Sequence, residues 1–186
     1  MSRFIFHPTS LSGLTLVERK PFADARGLLA RVYCAEEFRM VGWNKPIAQI
    51  NHTLTRRQGA VRGLHFQRPP YAESKLVTCL KGRIFDVTVD TRHSSPTFMQ
   101  WHGEILSAEN HRSLLIPEGF AHGFQTLTDD CELIYLHTAP FNAEAEGALN
   151  VADPKLAISW PLPIAELSDR DRAHPFIGAD FAGVRA

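Results

Sequence analysis

Short apolar segments separated by turn residues recur along this chain, and this pattern constrains its fold more than any other feature. In residues 83–90, which read RIFDVTVD, apolar side chains alternate with Asp86, Thr88 and Asp90. Successive side chains of a β-strand point to opposite faces, so this segment predicts a strand with one apolar face and one polar face. A series of short strands with turns between them is typical of a β-sandwich or β-barrel.

Six further segments have strand character, whereas helical signal is thin. The candidate strands are residues 60–67, 75–80, 100–106, 113–116, 123–127 and 132–137. The clearest pair of strands, 75–80 and 83–90, is joined by Lys81-Gly82, and short helices are expected at 35–40 and 167–172. Closing such strands into a jelly roll removes exposed sheet edges and leaves room for a ligand, so we expect a single all-β domain over residues 1–186.

The bulk composition excludes several classes of protein. The 20 basic and 20 acidic residues cancel, so no global field attracts nucleic acid or a membrane surface. Cys34, Cys79 and Cys131 are odd in number and far apart, which indicates reduced, buried thiols rather than a disulfide framework or a zinc site. The chain start lacks the apolar run of a signal peptide, and no segment approaches the ~20 apolar residues of a membrane span. We expect a cytoplasmic protein without nucleic-acid or membrane partners.

The segment VRGLHFQ (61–67) is expected to present polar side chains to an interior space. His65 and Gln67 share one face of this strand, and the other face is apolar, so the two polar side chains should point into a cavity. The same alternation places Arg62 on the opposite face or at the strand edge. An isolated histidine is more often a hydrogen-bonded core residue than a functional one.

Ionisable residues on other strands favour a functional role for His65. Lys75, Asp86 and Tyr135 lie on three further predicted strands and are expected to face the same space. Because unpaired buried charge costs several kcal/mol, stability alone does not explain such a set.

A metal site is one interpretation of these residues. A metal-binding cupin has two histidines at i and i+2, a glutamate soon after them and a third histidine on a later strand. His65 and His122 match two of these places, but Gln67 replaces one histidine and Glu73 lies in a turn. Two imidazoles without a firm anionic ligand bind a divalent ion weakly, and Lys75 would repel it. We therefore expect no metal.

Without a metal, the same residues are suited to proton transfer. A neutral His65 can accept a proton from carbon if a carboxylate orients its ring. Lys75 can stabilise negative charge on an enolate oxygen, and Tyr135 can deliver a proton from another direction. A base on one face and an acid on the other is what inversion at a carbon next to a carbonyl requires.

A separate group of residues is suited to anion binding. The forked N–H donors of an arginine side chain match the oxygens of a phosphate group. The candidates are Arg26, Arg56, Arg57 and Arg62.

A series of motifs covers most of the chain in order, from Phe22 to Asp171. They are FADARG (22–27), QINHT (49–53), VRGLHFQ (61–67), KLVTCLKGRIFDVTVDTR (75–92), SSPTFMQW (94–101), LSAEN (106–110), IPEGFAHGF (116–124), LIY (133–135), DP (153–154), ISWP (158–161) and LSDRD (167–171). With these motifs the chain resembles the dTDP-4-dehydrorhamnose 3,5-epimerase family of nucleotide-sugar epimerases.

The resemblance implies a fold, an assembly and a role for each matching residue. It implies a cupin-type β jelly roll with a few short peripheral helices, its N-terminal segment and C-terminal tail packing on the core or on the partner subunit of a homodimer. The substrate would be a nucleotide-diphospho-4-keto-6-deoxyhexose, and neither a metal nor another cofactor is implied. His65 would be the base, Asp171 its partner, Lys75 the enolate-stabilising cation and Tyr135 the acid. The residues implied in substrate binding are Arg62 at the diphosphate, Phe22, Arg26, Gln49 and Asn51 at the nucleotide, partly across the dimer interface, and Asp86 and His122 in the cavity.

The chain departs from the family pattern at four places. Arg31 stands where an acidic residue is usual, Leu136 where a lysine is common, Phe141 where a second tyrosine often lies, and Val151-Ala152 where Trp-Asn is familiar. Arg31 reverses a charge near the nucleotide, so dTDP, CDP and GDP all remain open. The hydroxyl lost at Phe141 leaves open whether one or two carbons are inverted.

The leading interpretation is an isomerase that inverts C3 and C5 of a dTDP-4-keto-6-deoxyhexose through enolates, as in dTDP-L-rhamnose biosynthesis. The alternatives are a single-carbon epimerase or a ketoisomerase acting on a CDP- or GDP-linked 4-keto sugar. From other classes, a sugar-binding jelly-roll module and a metal-dependent oxygenase are considered. A binding module has no need of a matched base and acid, which argues against the first of these.

Overall fold

The computed structural model describes residues 2–185, which form thirteen strands and two short helices. The strands are β1 (Phe4–Pro8), β2 (Thr15–Arg19), β3 (Phe22–Asp24), β4 (Gly27–Leu29), β5 (Gln49–Thr55), β6 (Val61–Gln67), β7 (Lys75–Lys81), β8 (Arg83–Asp90), β9 (Trp101–Ser107), β10 (Arg112–Ile116), β11 (Phe120–Thr126), β12 (Cys131–His137) and β13 (Glu146–Ala148). The helices are α1 (Ala35–Arg39) and α2 (Asp169–Arg172).

The strands form two large sheets and a small ribbon. The six-stranded sheet has the order β1-β2-β10-β7-β12-β5, and the five-stranded sheet has the order β13-β6-β11-β8-β9. The ribbon consists of β3 and β4 alone. Pairings within both sheets are antiparallel, and neighbours such as β6 and β11 are far apart in the chain. The predicted all-β jelly-roll fold is confirmed.

The space between the two sheets is apolar at one end and polar at the other. The apolar end combines Val77 and Leu133 of the six-stranded sheet with Ile84, Leu106 and Phe124 of the five-stranded sheet, and all five are buried. Two residues further along four of these strands, the inward side chains at the polar end are Lys75, Tyr135, Asp86 and His122. Each strand therefore contributes both to the core and to the polar end.

The rest of the chain covers the outer faces of both sheets. Leu64 and Phe66 of the five-stranded sheet pack in one cluster with Trp160 of the C-terminal segment. On the six-stranded sheet, Leu76 packs in another cluster with Phe38 of α1. The polar face predicted for β8 consequently points into the space between the sheets, and its apolar face packs outward.

The two strands joined by Lys81-Gly82 do not pair with each other. β7 lies between β10 and β12, whereas β8 lies between β11 and β9, so the chain crosses from one sheet to the other at this turn. Gly82 has φ +77°, and a Cβ there would lie 2.6 Å from Thr128 Oγ1 and 2.8 Å from Cys131 Sγ. The turn was recognisable from the sequence, but the crossing was not.

Sequence patterning missed β13 and the five strands that precede β6, and β5 shows one physical reason. β5 lies at the edge of its sheet, and of its seven side chains Thr55 alone is buried. A strand that buries neither face has no apolar alternation to be recognised. The predicted strands elsewhere agree with the structure to within a few residues.

The two predicted helices are present, and the second is shorter than expected. α2 begins at Asp169 because Ser168 is its N-cap, with Ser168 Oγ accepting a hydrogen bond from the Asp171 backbone N–H at 3.0 Å. Cys79 and Cys131 are buried free thiols, whereas Cys34 is only half-buried. Across residues 2–185, no helix has both the length and the apolar character that a membrane crossing requires.

Replacing Gly82 with alanine tests the crossing turn. A left-handed backbone costs a non-glycine residue roughly 1–2 kcal/mol, and the contacts with Thr128 and Cys131 add an overpacking cost. Gly42 is the matched control, because it has φ +95° and a Cβ there would meet only open space. In urea unfolding, Gly82→Ala should lower the free energy of unfolding by roughly 2–4 kcal/mol and Gly42→Ala by about 1 kcal/mol. Equal losses would contradict this description of the turn.

Candidate active site

A cavity of about 810 Å³ opens at the polar end of the space between the sheets. Side chains from both sheets and from the segment around α2 line it, among them Asn51, Arg62, His65, Lys75, His122, Tyr135, His137 and Asp171. A smaller cavity of about 340 Å³ adjoins it and shares Asn51, His65, Lys75 and His137. The structure thus brings the four predicted catalytic side chains to one site.

His65 and Asp171 form a hydrogen-bonded pair at the wall of the cavity. His65 Nε2 lies 2.8 Å from Asp171 Oδ1, and the Asp171 side chain is almost fully buried. Burial alone would raise the pKa of Asp171, but the hydrogen bond and positive charge of His65, with help from Ser168 and the Gly63 N–H, bring that pKa below its usual value. Asp171 is therefore a carboxylate at neutral pH. Its neighbour Asp169 is exposed, so the structure selects between the two aspartates of LSDRD.

The same pair determines which nitrogen of His65 can act as a base. A neutral imidazole carries one proton, and the carboxylate of Asp171 accepts it from Nε2. Nδ1 is then the nitrogen with a free lone pair. This arrangement matches the carboxylate-oriented base that the sequence predicts.

Lys75 is held by a buried carboxylate that the sequence did not assign. Lys75 Nζ lies 3.0 Å from Glu73 Oε1, and Glu73 Oε2 lies 3.0 Å from His137 Nδ1. Burial would raise the pKa of Glu73, but the hydrogen bond from His137 and the charge of Lys75 lower it below its usual value. The charge pair offsets the cost of keeping an ammonium group in the cavity wall.

Neither Glu73 nor His137 was selected from the sequence, although one signal was present. His137 lies two residues after Tyr135 on β12, so alternation places both side chains on the same face. Glu73 precedes β7 in a loop, where no periodicity indicates which way a side chain points.

Tyr135 is a buried phenol packed between two imidazoles. Its ring stacks on His137 with centroids 6.1 Å apart, and His122 meets it edge-on at 6.0 Å. Burial and the nearby charge of Asp86 raise the pKa of Tyr135 far above its usual value. Tyr135 is therefore protonated at neutral pH and is suited to donate a proton.

Asp86 and His122 form a second buried pair beneath Tyr135. His122 Nε2 lies 2.9 Å from Asp86 Oδ2, and burial raises the pKa of Asp86 against the opposing effect of His122. His122 lines the cavity, whereas Asp86 reaches it only through His122. The predicted cavity role of Asp86 is thus that of a partner to His122.

Arg62 faces the same cavity as His65, which corrects the expectation that it lies on the opposite face or at the strand edge. β6 pairs His65 with His122 and Arg62 with Phe124, so β6 has one residue more than β11 between these pairs. Such a bulge reverses the alternation. It lies at Gly63, where φ is +132° and a Cβ would lie 2.5 Å from Gly123 Cα. Arg62 Nε donates to Thr55 Oγ1 at 2.9 Å.

Of the residues assigned to the nucleotide, two lie at the cavities and two do not. Gln49 Nε2 donates to Asn51 Oδ1 at 3.1 Å, and Asn51 lines both cavities. Phe22 and Arg26 lie on the exposed β3–β4 ribbon, where Arg26 pairs with Asp24 at 2.7 Å. Within this chain, neither Phe22 nor Arg26 lines the cavities.

The departures from the family pattern fall in different environments. Phe141 lines the smaller cavity and is more than half exposed. Arg31 pairs with Glu37 of α1 at 3.3 Å. Leu136 and Val151 are buried in the two outer clusters, so neither side chain faces the cavities. Of these four residues, only Phe141 lines either of the two cavities.

A candidate metal-ligand group also lies at this site. The ligand atoms of His65, Asp171 and His174 all lie within 4.8 Å of one another. This group differs from the ligand set of a metal-binding cupin, which would include His122. In this structure His122 is hydrogen-bonded to Asp86.

Similarity to known proteins identifies the family of this chain. The family model described as dTDP-4-dehydrorhamnose 3,5-epimerase matches residues 8–178. The chain belongs to the dTDP-4-dehydrorhamnose 3,5-epimerase family. A curated relative with that name from Salmonella typhimurium is 42% identical over 171 residues, which are 91% of this chain and 93% of the relative. The resemblance stated from the motifs is confirmed.

Two solved structures illustrate the range within the family. The dTDP-6-deoxy-D-glucose-3,5-epimerase of Legionella pneumophila, in complex with dTDP-4-keto-L-rhamnose, has a TM-score of 0.91 and 36% identity, covering 98% of this chain and 99% of that one. A 3′-monoepimerase from Streptomyces bikiniensis, in complex with dTDP-quinovose, has a TM-score of 0.85 and 35% identity, covering 91% and 86%. The cupin-type jelly roll of the epimerases is therefore the fold of this chain.

Substituting Glu73 with glutamine tests the Lys75 ion pair. The change leaves a buried ammonium group without its carboxylate, so the free energy of unfolding at pH 7 should fall by roughly 3–5 kcal/mol. A carboxylate with a lowered folded-state pKa contributes stability above its unfolded-state pKa of about 4.3 and loses it as the pH falls through the folded-state value. The difference between wild type and Glu73→Gln should therefore shrink below pH 4.

The matched control is Glu132→Gln, whose carboxylate is partly exposed and pairs with Lys81 at 3.7 Å. It should change stability by less than about 1 kcal/mol at pH 7. Urea unfolding of the three proteins between pH 3 and pH 7 measures both effects. A Glu73→Gln difference that stays constant over this range would contradict the ion-pair assignment.

Proposed function

We propose that this protein is an isomerase that inverts C3 and C5 of a dTDP-4-keto-6-deoxyhexose, in the biosynthesis of a deoxysugar such as dTDP-L-rhamnose. The observation that carries the proposal is the placement of base and acid in one cavity. His65 projects from β6 of the five-stranded sheet, and Tyr135 projects from β12 of the facing six-stranded sheet. A sugar between the sheets meets the base on one face and the acid on the other.

The chemistry follows from the protonation states of these groups. Nδ1 of His65 removes the proton on the carbon next to the ketone, and the carboxylate of Asp171 stabilises the imidazolium that forms. The electrons of the broken C–H bond move to the ketone oxygen, and the ammonium group of Lys75 stabilises the resulting enolate. Tyr135 then gives its phenolic proton to the opposite face of the carbon, and the ketone is restored. Exchange with solvent returns a proton to Tyr135 and removes one from His65.

Inversion at a second carbon repeats the same steps on the other side of the ketone. C3 and C5 of a 4-keto sugar both lie next to C4, so one enolate-stabilising cation serves both carbons. A cavity of about 810 Å³ leaves room for the sugar to reposition between the two steps.

Three arginines support recognition of the diphosphate. Arg56, Arg62 and Arg170 all line the large cavity, and forked guanidinium donors match phosphate oxygens. Gln49 and Asn51 are proposed to contact the nucleotide from the edge strand β5.

A homodimer would bring Phe22 and Arg26 to the site. Phe22, Leu28 and Leu29 of the ribbon are exposed, as are Ile50 and Leu54 of β5. Large apolar side chains on an unpaired strand edge are typical of an interface with another chain. We therefore infer a homodimer in which the ribbon of one subunit covers the cavity of its partner. A cytoplasmic location and independence of metal and other cofactors complete the proposal.

A second candidate is inversion at one carbon only. Phe141 lines the smaller cavity without the hydroxyl that a tyrosine would supply, and one structural relative is a 3′-monoepimerase. A CDP- or GDP-linked sugar and a ketoisomerase reaction are further variants of this candidate. A sugar-binding module without activity is the non-enzyme alternative.

Deuterium incorporation tests the base. In D₂O, wild type acting on a dTDP-4-keto-6-deoxyhexose should place two deuterons in the product, at C3 and C5, as read by NMR and mass spectrometry. His65→Asn should lower the rate of exchange by at least about 100-fold while keeping affinity for dTDP, because general-base catalysis contributes 10²–10⁴-fold. His7→Asn, which changes a partly exposed histidine of β1 away from both cavities, is the control and should exchange as wild type does. One deuteron would favour the single-carbon epimerase, and exchange unaffected by His65→Asn would contradict the base assignment.

Deuterium exchange at the sugar carbon should continue, but inversion of its configuration should be lost, when the acid Tyr135 is replaced. In Tyr135→Phe, His65 can still remove a proton and return a deuteron to the same face, so exchange should continue with the configuration retained. Inversion should fall by at least about 100-fold. If Tyr135→Phe loses exchange and inversion to the same degree, Tyr135 is not the acid on the opposite face.

A further inference from the structure

We propose that Zn²⁺ binds to His65, Asp171 and His174 and thereby inhibits the protein. The site would be inhibitory rather than catalytic, because it uses the two residues that form the proposed base. The inhibitory consequence rests on the proposed function, whereas the binding itself does not.

A small conformational change would bring the three side chains to the spacing of a metal site. Their ligand atoms all lie within 4.8 Å of one another, and His65 Nε2 is 2.8 Å from Asp171 Oδ1. Tetrahedral zinc with bonds of about 2.0–2.2 Å places neighbouring ligand atoms about 3.4 Å apart. The most distant ligand therefore has to move inward by at most about 1.4 Å, and His65 and Asp171 have to separate by about 0.6 Å. Two imidazoles and a carboxylate are a common ligand set for zinc, with a fourth position left for water.

His174 supplies the independent observation that points to a ligand. Its Nε2 is buried and has no hydrogen-bond partner among residues 2–185. Its backbone is held by Asn150, whose Nδ2 donates to the His174 carbonyl at 2.6 Å. The two histidine rings meet edge-on, with centroids 6.4 Å apart. A buried imidazole nitrogen without a partner can supply a lone pair to a metal ion, and no step of the proposed reaction uses it.

Occupation of the site would block the base by a defined route. A metal on His65 Nε2 displaces the proton that this nitrogen gives to Asp171, and in the neutral ring that one proton moves to Nδ1. Nδ1 is the nitrogen that would accept the substrate proton, so the protonated nitrogen can no longer act as the base. The metal also removes the Asp171 carboxylate from its role beside the imidazolium. Inhibition follows without any contact between the metal and the sugar.

The positive charge of Arg170 disfavours binding of a metal cation at this site, which provides a test. Arg170 Nη2 lies 3.3 Å from His65 Nε2, and its Nε lies 3.7 Å from Asp171 Oδ1. The same side chain is more than half exposed and pairs with Glu146 at 3.1 Å. Removing this positive charge should strengthen binding of a dication.

Direct binding to the metal-stripped, untagged protein tests the inference. By isothermal titration calorimetry, wild type should bind one Zn²⁺, His174→Asn should bind at least tenfold more weakly, and Arg170→Gln should bind more tightly. His7→Asn is the matched control, since His7 is a half-buried histidine of β1 that pairs with Glu18, and it should bind as wild type does. Circular dichroism of each variant checks the fold.

Activity assays then separate the two proposals. Zn²⁺ should inhibit wild type reversibly on chelation, whereas His174→Asn should keep its basal activity and be at least tenfold less sensitive. No binding by active wild type, or equal binding by wild type and His174→Asn, would overturn the metal site. Zinc binding that depends on His174 in a protein without epimerase activity would retain the site and reject the proposed function.

Discussion

The stability of the polar end of the space between the sheets depends on the pairing of its buried charged side chains. Asp171 is paired with His65, Glu73 with Lys75 and His137, and Asp86 with His122. Without these pairs, ionised groups between two sheets would destabilise the fold by several kcal/mol each. The pair with His65 also keeps Asp171 ionised, whereas burial and the nearby charge of Asp86 keep Tyr135 a protonated phenol.

Several strands of the jelly roll contribute to both the apolar core and the polar end of the space between the sheets. Val77 and Leu133 help to close the apolar end, and the inward side chains two residues away on the same strands are Lys75 and Tyr135. Positions of the reacting groups are thus tied to the packing of the core. The C-terminal segment is part of the same arrangement, because Asp171 reaches His65 from α2, outside the sheets.

The all-β fold class and most of the site residues could be predicted from the sequence. Particular residues show the physical reasons for the successes and the failures. Alternation identified His65 and Asp86 as inward side chains, whereas Lys75 and Tyr135 were expected at the same space because they lie on neighbouring predicted strands. It failed for Arg62, where the bulge at Gly63 shifts the alternation by one residue. It also failed for Glu73, which lies in a loop, and for β5, whose edge position leaves no apolar face. The role of Asp171 came from family resemblance and not from periodicity.

His65 and Tyr135 are proposed to act on opposite faces of one sugar carbon, and a crystal structure with a bound dTDP-4-keto-6-deoxyhexose tests this arrangement. We expect the sugar to lie between the two sheets, with the reacting carbon next to Nδ1 of His65 on one face and next to the Tyr135 hydroxyl on the other. The ketone oxygen should lie within hydrogen-bond distance of Lys75 Nζ. A sugar that presents the same face to His65 and Tyr135, or one bound outside this cavity, would contradict the proposed placement of base and acid.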